Sequence, residues 1–266
     1  MAMEYVTLPT GQKMPMVGFG TWQLLGDQCE TCLRQALDLG YRLIDTARMY
    51  ENEVEVGKAI GASGVARGEI FLTTKVFQPD NSYEGTKMSI DRSLLRLDTD
   101  YIDLFLIHEP YEEDRDMVRA MEEALEAGKI RALGISNYNK DLYARFVAEC
   151  GLVPAVNQVE AHVFHQQLPL KAAMGETVMQ AWSPLTCGQK PVATDPVLTK
   201  IGAKYGKTAA QIALKALVQQ GIPVVPKTAT FSRMQENLDL FDFTLSPQDL
   251  ETIRAMDTGK TLFGWY

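Results

Sequence analysis

Short apolar runs alternate with longer stretches whose apolar residues recur every three or four positions, from one end of the chain to the other. The short runs predict strands. They fall at Val17–Gly20, Arg42–Ile44, Phe71–Thr74, Asp103–Ile107, Ala132–Ile135, Ala155–Val159, Thr177–Ala181 and Ile222–Val225. The helical periodicity predicts helices between them. These run over Asp27–Gly40, Glu53–Ile60, Tyr83–Leu97, Asp114–Ala127, Lys140–Cys150, Leu168–Ala173, Pro196–Tyr205, Ala209–Val218, Arg233–Leu240 and Pro247–Met256. Tyr5–Leu8 and Lys13–Met16, separated by Thr10-Gly11, read as a hairpin. Polar punctuation supports the boundaries. Asp27 with Glu30 and Thr208 with Gln211 have the capping-box spacing, Ser246 precedes Pro247, and Gly128 follows a helix.

About eight strands in strict alternation with helices imply a parallel sheet under helical cover. With 266 residues and no Pro/Gly/Ser-rich linker, the chain reads as one α/β domain spanning 1–266. The expected fold is a (β/α)8 TIM barrel with an N-terminal β-hairpin and two extra helices. A doubly wound sheet would favour G-x-G-x-x-G after an early strand. Gly18-Phe19-Gly20 lacks the third glycine.

Composition narrows the function classes. The chain is 46% hydrophobic and 23% charged, with a net charge of -8. That acidic balance argues against a nucleic-acid surface, which needs clustered Lys and Arg. No apolar stretch approaches the ~18 residues of a membrane span, and no secretion signal opens the chain. The expectation is a cytoplasmic monomer without nucleic-acid or membrane partners. Cys29 and Cys32 have C-x-x-C spacing, which suits redox chemistry, half a zinc site or plain helix packing. Packing is the favoured reading, and three histidines give thin support to a metal site.

The chemistry gathers where strands end. Asp45, Lys75, His108, Ser136-Asn137, Gln158-Glu160, Trp182-Ser183 and Lys227-Thr228 each follow an apolar run, and Tyr50 lies in the loop after Asp45. Singly, such residues read as loop residues bonding local backbone. In a barrel, however, these ends converge on one rim. Asp45 and Lys75 should pair, because neither charge is tolerable alone in a dry site. Lys75 should then stabilise the tyrosinate of Tyr50 and lower its pKa from ~10. Such a phenol is a usable general acid. His108 can polarise a carbonyl oxygen. Phenol and imidazole aimed at one oxygen suit carbonyl reduction, which requires a hydride source such as a nicotinamide. Lys227, Thr228 and Arg233 beside a helix start would form an anion site, although each alone also reads as ordinary surface.

These residues resemble those of the aldo-keto reductase family, in its shorter form similar to diketogluconate and aldehyde reductases. The matching motifs run in family order from Gly18-Phe19-Gly20-Thr21-Trp22 through Asp45-Thr46-Ala47 with Tyr50, Thr73-Thr74-Lys75 and Leu106-Ile107-His108. They continue through Gly134-Ile135-Ser136-Asn137, Asn157-Gln158-Val159-Glu160, Trp182-Ser183-Pro184-Leu185 and Pro226-Lys227-Thr228. The resemblance implies a catalytic tetrad of Asp45, Tyr50, Lys75 and His108, and NADP(H) as cofactor. It implies nicotinamide contacts from Ser136, Asn137 and Gln158, with Trp182 stacking on the ring. Ser183 and Leu185 would line the pyrophosphate. Lys227, Thr228 and Arg233 would hold the 2′-phosphate, and Glu236 and Asn237 the adenine.

The sequence departs from the family pattern beside the catalytic histidine, where Glu109 replaces an aromatic residue, and near Lys75, where Phe77 stands. A more polar substrate pocket is expected, walled by Trp22, Phe77, Glu109 and Tyr111. Phe263-Gly264-Trp265-Tyr266 either folds over its mouth or frays. The leading expectation is an NADPH-dependent reductase of aldehydes, ketones or keto-sugars. Two alternatives stay open: a Schiff-base lyase using Lys75, and a non-catalytic cofactor-sensing subunit of the same fold.

Overall fold

The computed structural model describes residues 3–264. The chain begins with an antiparallel hairpin, β1 (Tyr5–Thr7) and β2 (Lys13–Pro15). Seven parallel strands follow in sequence order: β3 (Phe19–Gly20), β4 (Leu43–Asp45), β5 (Phe71–Val76), β6 (Leu104–Ile107), β7 (Leu133–Ser136), β8 (Val156–Glu160) and β9 (Val178–Trp182). Helices α1 (Gly26–Leu39), α2 (Glu53–Ala62), α3 (Tyr83–Leu97), α4 (Asp114–Glu126), α5 (Lys140–Cys150) and α6 (Leu168–Ala173) connect them. Four more close the chain: α7 (Pro196–Tyr205), α8 (Ala209–Val218), α9 (Phe231–Leu238) and α10 (Pro247–Arg254).

The expected eighth strand over Ile222–Val225 is reduced to one ladder position, and this is a correction. Val224 bridges Val17 on one side and Ala181 on the other. Gly18 donates its N–H to Val224 at 2.8 Å, and Val225 donates to Ala181 at 3.2 Å. The two sheet edges are thereby joined, so no unpaired edge is left there. Gly20 fits this closure because a Cβ there would lie 2.8 Å from the Val225 carbonyl oxygen.

Strand residues divide by parity, as the pleat requires. One set packs in the main core: Ile44, Leu72, Val76, Phe105, Ile107, Ile135, Val159, Met179 and Ala181. The other set joins the hairpin residues Leu8 and Met14 in a second cluster: Leu43, Phe71, Leu104, Leu106, Val156, Val178 and Val225. Gly134 falls in this second series, where a Cβ would lie 2.5 Å from a Leu106 methyl. Stepping two residues along each strand of the second series leads from apolar to polar. Leu43 leads to Asp45, Phe71 to Thr73 and Lys75, Leu106 to His108, and Val156 to Gln158. The hairpin's apolar end and the polar rim therefore lie at opposite ends of the same interior column of side chains.

Two local expectations are corrected or sharpened. Asp27 and Glu30 form no capping box: α1 begins at Gly26, and its cap residue Leu25 makes no side-chain bond. Gly26 has φ +51°, so the chain turns into the helix through a left-handed residue rather than a side-chain cap. At α8 both halves of the Thr208/Gln211 box are formed. Cys29 and Cys32 are free and buried on α1. Burial pushes the Cys29 thiol up to about 12, opposite to the direction that makes a cysteine reactive. Among the described residues, no group of three His, Cys, Asp or Glu side chains gathers as a metal site, and no helix is long and apolar enough to cross a membrane.

Candidate active site

Asp45 ends β4, Lys75 lies near the end of β5, and His108 follows β6. Tyr50 ends a short 3-10 turn in the loop between β4 and α2. The barrel brings all four together. The Lys75 ammonium donates to Asp45 Oδ1 at 2.7 Å, to the Thr46 carbonyl at 2.9 Å and to the Tyr50 hydroxyl at 3.5 Å. The Tyr50 and His108 rings meet edge-on, with centroids 5.8 Å apart. Asp45, Lys75 and His108 are buried, and Tyr50 is partly so.

This arrangement fixes protonation. Burial works against charge on Lys75, but Asp45 and then Tyr50 outweigh it, and the ammonium titrates above the usual lysine value. A Schiff-base lysine needs the opposite shift. Burial, reinforced by Lys75, pushes His108 well below the ordinary imidazole value, so the ring is neutral. The expectation for Tyr50 is corrected. Burial raises its phenol and Lys75 lowers it, with burial prevailing in this structure. Tyr50 is thus held protonated, with a cation positioned to stabilise the anion left when its proton is lost.

Asn52 supports this cluster, and sequence reasoning passed over it as a helix start. Fully buried, it accepts from the Thr46 hydroxyl at 2.6 Å and donates to the carbonyls of Thr21 and Leu24 at 2.9 Å. It ties the loop of Trp22 to the loop of Tyr50, whose rings meet 4.9 Å apart. Phe77 packs edge-on against His108 at 5.4 Å. The signal for Asn52 was the amide two residues after Tyr50, with no way to see its partners.

The predicted cofactor residues continue around the rim. The Gln158 amide donates to Asp45 Oδ2 at 2.6 Å and to Gln180 at 2.7 Å. The Ser136 hydroxyl donates to the Gln158 carbonyl at 2.8 Å. Asn137, at φ +69°, donates to the His108 carbonyl at 3.0 Å and accepts from the Trp182 indole at 2.8 Å. Ser183 is buried, and its hydroxyl donates to the Cys187 sulfur at 3.1 Å. Leu185 is partly buried against the core.

Across the rim, Lys227 and Arg233 are exposed, and among the described residues neither has an ion-pair partner. Thr228 is buried and accepts from the Thr230 N–H at 3.1 Å. The α9 N-terminus has no side-chain cap, which leaves its first N–H groups for an anion. Two unpaired cations beside an uncapped helix start fit a phosphate. Glu236 accepts from the Thr208 hydroxyl, and Asn237 is buried on α9.

A cavity of about 620 Å³ opens beside this rim, lined by Glu109, Pro110, Asn137, Phe263 and Gly264. Of the expected pocket residues only Glu109 lines this cavity: Trp22 and Phe77 pack on Tyr50 and His108, and Tyr111 is buried in the main core. The chain's C-terminal part reaches the cavity through an anchor that sequence reasoning missed. Buried Glu160 accepts from the Leu262 N–H at 2.8 Å, from the Thr261 hydroxyl and from His162 at 3.0 Å. Phe263 then packs against Trp182 at 5.1 Å. The expectation for Trp265 and Tyr266 lies outside the described residues.

Comparison with known proteins identifies the family. The model of the aldo/keto reductase family matches residues 16–258. An aldo-keto reductase of Mycolicibacterium smegmatis is 42% identical over 97% of this chain and 94% of its own. A methylglyoxal reductase of Yersinia pestis is 38% identical over 97% and 94%. Among solved structures, an aldo/keto reductase from Brucella melitensis superposes with TM-score 0.91 at 40% identity, covering 96% of this chain and 100% of that one. An aldo-keto reductase crystallised with NADPH gives 0.89 at 33% identity, covering 98% and 89%. The chain therefore belongs to the aldo/keto reductase family and is an oxidoreductase.

Proposed function

We propose that this protein reduces the carbonyl group of small aldehydes and ketones, keto-sugars among them, with NADPH as cofactor and Tyr50 as general acid. The observation that carries this reading is the contact of the Lys75 ammonium with both Asp45, at 2.7 Å, and the Tyr50 hydroxyl, at 3.5 Å. Tyr50 gives its proton to the carbonyl oxygen, and Lys75 stabilises the tyrosinate that remains. Asp45 keeps Lys75 charged throughout. His108, held neutral, donates a ring N–H to the same oxygen and fixes its direction. NADPH, when bound, supplies the hydride.

The rim residues fit that cofactor. Ser136, Asn137 and Gln158 would hold the carboxamide, and the Trp182 ring would face the nicotinamide. Ser183 and Leu185 would line the pyrophosphate, and Lys227, Thr228 and Arg233 the 2′-phosphate, with Glu236 and Asn237 at the adenine. Trp22, Phe77 and Glu109 would wall the substrate. The NADPH complex of one relative supports the cofactor, and the name of another, methylglyoxal reductase, supports a small carbonyl substrate. Against the lyase alternative stands the raised Lys75.

The test is a panel of aldehydes and ketones followed by loss of NADPH absorbance. Turnover that is faster with NADPH than with NADH is expected. Tight NADPH binding without turnover on any member would select a cofactor-sensing role. Borohydride trapping of a substrate on Lys75 would select the lyase.

A further inference from the structure

The catalytic histidine is followed by a carboxylate that the tetrad does not use. Glu109 lines the 620 Å³ cavity with Pro110, Asn137, Phe263 and Gly264, none of them basic. Among the described residues it has no hydrogen-bond or ion-pair partner. Two cations on neighbouring rim elements are committed elsewhere. Lys75 is held by Asp45 at 2.7 Å, and Arg48 by Asp80 at 2.7 Å. Asn137 is likewise engaged at both ends of its amide. Nothing in the cavity lining neutralises Glu109, and the segment that follows, Glu112-Glu113-Asp114, adds charge of the same sign.

Burial pushes the Glu109 carboxyl above its ordinary value. That direction marks a group that has lost water without gaining a partner. Phe263 lines the same cavity and packs on Trp182, with ring centroids 5.1 Å apart. A partly dehydrated carboxylate and an aromatic ring lining one cavity are the chemistry that recognises an organic cation: the carboxylate attracts the charge, and a ring face can bind the ammonium's alkyl shell. The same carboxylate repels an acid.

We propose that Glu109 makes the pocket select carbonyl substrates carrying a cationic amine and reject those carrying a carboxylate. The proposal deepens the substrate class of the reductase reading and rests on it.

The test compares three para-substituted benzaldehydes of similar size, bearing trimethylammoniomethyl, hydroxymethyl or carboxylate groups. Each is reduced with NADPH by the wild-type enzyme and by Glu109→Gln. In wild type, kcat/KM should fall in the order cationic, neutral, anionic, with steps of roughly tenfold carried mainly by KM. In Glu109→Gln both ratios to the neutral substrate should contract to within about threefold. Wild type alone supplies a second reading, since raising salt to ~1 M should shrink its charge preference by screening. An unchanged ranking in Glu109→Gln, or a wild-type enzyme indifferent to both charge and salt, overturns the proposal. Those outcomes leave the reductase reading standing if the neutral aldehyde is reduced. Failure to reduce any of the three overturns the proposal, and the reductase reading falls with it only if the wider carbonyl panel also shows no turnover.

Discussion

The two sides of the barrel mouth are built on opposite electrostatic plans. Around β4, β5 and β6 the fully buried charges are matched, the half-buried Glu109 apart: Lys75 with Asp45, and Glu53 with Thr74 at 2.7 Å and Arg96 at 3.3 Å. On the side of Val224 and α9, Lys227 and Arg233 stand exposed with no anion among the described residues. The matched side needs no ligand to hold its shape, as preorganised catalysis requires. On the unmatched side water solvates the cations, and a phosphate bound there would gain from both. On the proposed reading, the first side would carry the chemistry and the second would capture the cofactor.

Substitutions should separate the two. The largest effect belongs to Lys75→Met, which leaves Asp45 buried and unpaired. A loss of about 3–5 kcal/mol of stability is expected, measured by denaturant unfolding. Adding Asp45→Leu should restore most of that stability without restoring reduction. If Lys75→Met is as stable as wild type, the matched side is not matched by this pair. Arg233→Ala should keep wild-type stability while weakening NADPH by roughly ten- to hundredfold. NADH should weaken far less, and equal weakening would remove the 2′-phosphate role. Glu160→Gln should cost about 1–2 kcal/mol, because one buried acceptor then serves donors poorly. Since Glu160 anchors the segment that carries Phe263, KM for the carbonyl should rise more than kcat falls.

The smallest effect is a pH dependence. Burial lowers the pKa of both His108 and His165 below the ordinary 6.5. The unfolded chain therefore takes up these protons first on acidification. The stability from the neutral rings is present above about 6.5 and lost as pH falls through it. Thermal melts should show this loss, and His108→Asn should flatten it. An equally steep decline in that variant would assign the effect to other groups.

Much of this was legible before coordinates. Period-two and helical patterns placed α3, α5, α6, α7 and α8 at their observed bounds. The polar residue after each apolar run marked the rim, because parallel strands in a barrel share one direction. What escaped depended on partners distant in sequence. The contact of Glu160 with Thr261 spans 101 residues. Asn52 reaches back 31 residues to Thr21. The eighth strand was overstated because only Val224 forms ladder bridges there, with single backbone bonds from its neighbours completing the closure. Tyr50 was misjudged because its neighbour Lys75 could be inferred from sequence, whereas the dehydration of its hydroxyl could not.

The central claim is that Tyr50 supplies the proton while the cofactor is held by other residues. Tyr50→Phe removes one oxygen and leaves the ring that meets Trp22 and His108. Stopped-flow mixing of NADPH-loaded enzyme with an aldehyde, paired with tryptophan quenching by NADPH, measures both halves of the claim at once. NADPH affinity within about threefold of wild type and a reduction rate lower by ~10²–10⁴-fold are predicted. A variant that reduces the aldehyde at the wild-type rate would contradict the account.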